Sequence, residues 1–136
     1  KVTLFDGKFH DVDSDEMSFK LASSQCFKKA FAESKPVLLE PIYEVTVKVP
    51  EDNMGDVMSD FTSRRGRILG MESDGHFQIL KANVPLSSMY KYSVDLRGIT
   101  AGRGKHKERF SHYEEVPKEQ EVKIIEEYNK SRQEED

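Results

Sequence analysis

The sequence predicts an α+β chain whose central domain runs strand, helix, strand, strand, helix, strand. Three observations predict it: alternating apolar residues over 43–49, a hairpin signature at Asp74-Gly75, and helical apolar spacing on both sides of that hairpin. This order is the ferredoxin-like, split-βαβ pattern, a four-stranded sheet carrying both helices on one face. The fold hosts RNA binders, metabolite sensors and enzymes, so it fixes no function by itself.

In order along the chain, Val2, Leu4 and Phe5 form a short apolar run before the turn signal Asp6-Gly7, and predict a strand over 2–5. Asp13 and Glu16 have capping-box spacing and predict a helix over about 14–33, with Phe27, Ala30 and Phe31 on a packing face and Cys26 packed beside them. Pro36 stops that helix. Residues 1–40 therefore read as the end of one domain whose other elements would lie upstream, with the boundary near Glu40-Pro41.

From residue 41 to 116 the ferredoxin-like unit follows. Tyr43, Val45, Val47 and Val49 alternate with Glu44, Thr46 and Lys48, the pattern of a strand with one polar face. Met54, Val57, Met58 and Phe61 recur at i, i+3, i+4 and i+7, a helix burying one stripe and ended by Gly66. Residues 67–73 and 76–84 flank Asp74-Gly75 as a hairpin. Leu86, Met89, Tyr90 and Ser93 predict a second amphipathic helix as far as Gly98, and Gly102-Arg103-Gly104 turns the chain into a last strand over 105–113. Pro117 opens a final helix in 117–136, carrying Val122, Ile125 and Tyr128 and ending in a charged tail.

Composition narrows the function classes. A hydrophobic share of 36% and a mean hydropathy of −0.70 support a modest core and no apolar run of membrane-spanning length. With a single cysteine an internal disulfide is impossible, which points to a reducing cytoplasm; in that compartment the Asn129-Lys130-Ser131 sequon means nothing. The net charge of −4 is unevenly spread. Residues 1–63 carry seven basic and twelve acidic side chains, 64–109 ten and four, and 110–136 four and nine. A basic middle between acidic flanks suggests one surface aimed at an anion.

No residue set predicts catalysis or a resident metal. Asp11, Asp13 and Asp15 imitate the first half of a calcium loop, but the sixth position is Glu16 rather than glycine and the twelfth is Ala22 rather than glutamate. His10, His76, His106, His112 and Cys26 lack zinc spacing. Gly102-Arg103-Gly104-Lys105 lacks the spacing of a nucleotide-phosphate loop. The sharper features are Arg64-Arg65-Gly66-Arg67 and the stretch from Arg97 to Lys107, where guanidinium groups and glycines suit phosphate. Both stretches lie beside helix C-termini, where cations also stabilise the dipole, so a structural role stands beside anion contact. Gly75-His76-Phe77-Gln78-Ile79 offers one aromatic, which lends base stacking on the sheet little support.

Several segments resemble elongation factor G. Asp6-Gly7-Lys8-Phe9-His10-Asp11-Val12-Asp13 is similar to the approach to the last helix of its fourth domain, and Lys35-Pro36-Val37-Leu38-Leu39-Glu40-Pro41-Ile42 to the junction with its fifth. Met54-Gly55-Asp56-Val57, Ser63-Arg64-Arg65-Gly66 and Ser111-His112-Tyr113-Glu114-Glu115-Val116-Pro117 continue the resemblance in order. It implies a monomeric translation factor that binds ribosomal RNA and the transfer RNA side of the A site, with GTP and magnesium held on a domain outside these residues. Phe9, His10 and Asp11 would form the tip that reaches the decoding centre. Arg97, Thr100, Gly102, Arg103 and Lys105 would face the sarcin–ricin loop of the large subunit. Ala101 stands where the family commonly has glutamine, and 105–109 are more charged than usual, departures that fit a housekeeping translocase or a divergent paralogue, one acting in recycling included. The competing readings are a free-standing ferredoxin-like RNA-binding or regulatory module and a small ferredoxin-like enzyme.

Overall fold

The structure, a computed structural model, describes residues 1–134, and the chain divides into a unit of Lys1–Val37 and a second unit from Leu38 onward. The division falls three residues before the expected boundary at Glu40-Pro41.

In the first unit the only regular element among the described residues is helix α1, Glu16–Glu33. Asp15 caps it: its carboxylate accepts from the Ser18 amide at 2.6 Å and from the Ser18 hydroxyl. The helix thus starts two residues later than the Asp13–Glu16 box suggested. The strand expected over 2–5 is absent; those residues have no strand partner, and a lone strand cannot satisfy its own backbone. Helix α1 buries none of its residues within this unit. Phe27 and Phe31 stack on each other at 5.9 Å while half-exposed, and Cys26 is exposed rather than packed.

The second unit is the expected α+β, ferredoxin-like domain. Its strands are β1 (Leu39–Pro50), β2 (Arg67–Asp74), β3 (Phe77–Pro85) and β4 (Lys105–Glu115), all pairings antiparallel in the order β2-β3-β1-β4. Helices α2 (Met54–Ser63) and α3 (Tyr92–Ile99) cover one face. There Val45, Val47, Val49, Leu80, Ala82 and Val84 meet Met54, Val57, Phe61, Tyr92 and Leu96 in one core. The alternation in β1 sends those valines inward and leaves Glu44, Thr46 and Lys48 on the open face.

Three local readings shift. The β2–β3 turn is Gly75-His76 rather than Asp74-Gly75, because Asp74 pairs with Phe77 and the positive φ of +64° falls on Gly75. The helix expected over 86–98 is broken into a 3₁₀ turn, Leu86–Met89, and α3. Lys91, at φ 57°, redirects the chain so that Met89 and then Tyr92 and Leu96 all enter the core. Helix α2 ends on Arg65 in the left-handed region, not on the glycine. The Gly66 amide closes back on the Phe61 carbonyl at 2.7 Å, an approach that a Cβ at Gly66 would block.

The last helix, α4 (Lys118–Glu134), is fastened near its start, where Glu121 accepts from the Leu38 amide at 3.1 Å and Val116 is buried. Its apolar residues Val122, Ile125 and Tyr128 remain exposed.

Candidate nucleic-acid interface

The two arginine-rich stretches part company in the structure. Arg64 is largely spent internally: its guanidinium donates to Asp60 at 2.8 Å, to the Ser88 carbonyl at 2.7 Å and to Asp95 at 2.5 Å, and lies over the Tyr92 ring. Burial opposes its charge, but the hydrogen bonds to Asp60 and Asp95 outweigh that and hold its pKa above the ordinary arginine value. The fork ties α2 to the 3₁₀ turn and α3. Arg65 makes a two-pronged contact with both Glu40 carboxylate oxygens at 2.7 and 2.8 Å. These arginines hold the fold.

The second stretch ends in a tight turn between α3 and β4. The C-terminus of α3 is closed by Gly102, whose amide donates to the Arg97 carbonyl at 2.8 Å, with Ala101 at φ 49° and Gly102 at φ 81° making the left-handed step. Thr100 departs from its expected role as an RNA contact. Its side chain is wholly buried, donating to the Leu96 carbonyl at 2.7 Å and accepting from the Gly104 amide at 2.8 Å. It braces the turn and offers nothing to a partner. Gly104 has to be glycine for the same reason, since a Cβ there would lie 2.8 Å from the Thr100 hydroxyl.

That frame presents cations. Arg97 is exposed, with its Nε donating to the Ser93 carbonyl. Arg103 is steadied by the Thr100 carbonyl and by Asn53 Oδ1, both at 3.3 Å. Asn53 itself donates to the Ile99 carbonyl at 3.0 Å, so one side chain at the start of α2 pins the turn from both sides. Nothing in the sequence distinguishes Asn53 from an ordinary helix-start residue. Lys105 is exposed and makes no ion pair among the described residues.

The registers place further cations on the open sheet face. Lys105 lies opposite Lys48, Lys107 opposite Thr46, and Arg109 opposite Glu44, whose carboxylate takes it at 2.9 Å. Lys81 bonds Glu72 at 2.9 Å, which raises its pKa, and Lys48 is bound by Asp74. Lys48, Phe77, Arg103 and Lys105 line a recess of about 230 Å³ where this face meets the turn. In a recess of equal volume at the other end of the sheet, around Ile42 and Asn83, both cations are already matched, Arg65 with Glu40 and Arg67 with Glu114 at 3.5 Å, and Glu115 adds a further carboxylate.

The tip residues belong to the other unit. Phe9 is three-quarters exposed, at 75%. His10 is fixed through its backbone, its amide donating to Ser14 Oγ at 2.6 Å and its carbonyl accepting from the Ser14 amide at 3.1 Å. Its ring lies 3.7 Å from Asp13, and Asp11 is exposed at the head of the turn that follows. The backbone holds this loop while leaving its side chains outward. Among the described residues no group of three or more His, Cys, Asp or Glu side chains is placed to hold a metal, and no helix is long and apolar enough to cross a membrane.

Comparison with known proteins gives two family matches. Residues 37–124 match the family described as elongation factor G C-terminus, and residues 1–35 match elongation factor G, domain IV. A crystal structure of a protein from Thermus thermophilus is 46% identical over 92% of this chain, with a TM-score of 0.79. The chain spans 19% of the length of that protein.

Proposed function

Because this chain belongs to the elongation factor G family, matching its fourth-domain and C-terminal families in sequence order, we propose that it is a ribosome-docking region of a translation GTPase. In this reading the parent factor moves transfer RNA and messenger RNA on the ribosome. GTP and magnesium sit on a domain outside these residues, the factor acts in the cytoplasm as a monomer, and this region docks rather than catalyses. Two surfaces serve it: Phe9, His10 and Asp11 toward the decoding centre, and Arg97, Gly102, Arg103 and Lys105 toward large-subunit RNA.

The observation that carries this reading is the braced turn 100–104, which holds Arg103 beside Lys105, an ammonium with no ion pair among the described residues. Guanidinium and ammonium groups held at a fixed spacing neutralise phosphates without reorganising, and such contacts are strongly salt-dependent. Arg103→Glu in the full-length factor replaces one such contact by repulsion. A charge-assisted hydrogen bond contributes roughly 1.5–3 kcal/mol, so ribosome affinity should fall about tenfold or more and ribosome-stimulated GTP turnover should slow. Wild-type affinity and turnover in that variant would remove the turn from the interface.

A further inference from the structure

We propose that the recess between the 100–104 turn and the open sheet face takes one unstacked nucleotide of single-stranded RNA. The base would lie on the Phe77 ring and the adjoining phosphate between Arg103 and Lys105. The inference rests on the docking reading and adds to it a base-stacking subsite.

One aromatic is too few for a sheet-wide stacking platform, which is why composition alone argues against one. The structure changes the question from number to place. Phe77 opens β3 with the parity of Ile79 and Lys81, opposite to the buried Leu80 and Ala82, so its ring stands on the open face. Strand β1 brings Lys48 beside it, and the start of β4 brings Lys105, which pairs with Lys48 in register. The braced turn brings Arg103. Three cations from three segments therefore line one recess together with one aromatic ring.

Each group has a reason to favour a nucleotide over another anion. The Lys48 ammonium lies over the Phe77 ring, 5.2 Å from its centroid, held there by Asp74. This is the ring face on which a base would stack, and the flexible lysine stem can swing off the ring while its ammonium stays with Asp74. Asp74 opposes an anion, but Lys48 already offsets it, which leaves Arg103 and Lys105 as the uncompensated charges. A bare phosphate or an acidic peptide would use the cations and leave the ring idle; a nucleotide engages both. Base–aromatic stacking is tolerant of sequence, which suits a site that reads an exposed base rather than a base-pair edge.

The test is fluorescence anisotropy of this chain at low salt with two labelled RNA oligomers, hexaadenylate and an abasic hexamer with the same phosphates. Hexaadenylate should bind at least about fivefold tighter than the abasic strand. Phe77→Ala should abolish that preference while leaving abasic binding in place. Phe77→Leu, which keeps the apolar volume and guards against misfolding, should do the same. Lys105→Gln should weaken both oligomers alike. Equal wild-type affinity for the two strands, no measurable binding of either, or unchanged preference in the Phe77 variants would overturn the subsite. So would competition by a hexaglutamate peptide as effective as that by hexaadenylate. None of these results touches the docking reading, which the Arg103→Glu ribosome measurement tests separately.

Discussion

Ala101 occupies a backbone position at φ 49° that a Cβ disfavours, and the glycine beside it is not the one that takes the first left-handed step. The strain is tolerated because the Gly102 amide and the Thr100 hydroxyl over-determine the turn. Ala101→Gly should therefore stabilise the chain by about 1 kcal/mol, seen as a higher urea midpoint. Gly104→Ala should do the reverse by about 1–3 kcal/mol, because the new methyl meets Thr100 and the Leu96 side chain at 2.8–3.1 Å. An unchanged midpoint for Gly104→Ala would mean that the turn is slack. Residue by residue, the sequence showed the turn's cations and glycines but not which were scaffold. Thr100 was expected as a ligand only through the family resemblance; the packing of Leu96 and Gly104 around it reveals a brace.

At the scale of elements, most strands and helices were legible because their periodicity comes from a one-sided core. Val45, Val47 and Val49 on β1, and Val57 and Phe61 on α2, are core residues both by spacing and by burial. Two misplacements, the end of α2 and the break before α3, share one cause: Arg65 and Lys91 are left-handed residues that are not glycine and leave no compositional mark. The apolar spacing runs on from Leu86 through Leu96, so nothing warns of the break at Lys91. The cap of α1 was two residues off because three aspartates in five positions each suit the role, and only the Ser18 contacts select Asp15. Those contacts, from the Ser18 hydroxyl first and its amide second, hold the Asp15 pKa below the ordinary 3.8. The sign follows: a depressed folded-state pKa gives stability that is complete above 3.8 and is lost as pH falls through the folded value. The Ser18 amide proton shift, followed by NMR, should titrate with a midpoint below 3.8. A midpoint at or above that value would deny the cap.

For the molecule as a whole, the basic middle of the sequence does not coincide with the cationic surface of the fold. Arg64 and Arg65 are consumed by Asp60, Asp95 and Glu40, while Lys48, from the acidic first stretch, joins the cationic recess through strand pairing. Charge counting along a chain cannot see either effect, since both arise from register and from helix ends meeting. What survives is a cationic corner at Arg103 and Lys105 set on a rigid frame. The direct test is lysine acetylation of the full-length factor, free and ribosome-bound, read out by mass spectrometry. Lys105 should react readily in the free factor, as an exposed ammonium without an ion-pair partner does, and should be protected several-fold on the ribosome. Lys105 labelling equally in both states, with the factor shown to be bound, would contradict the account.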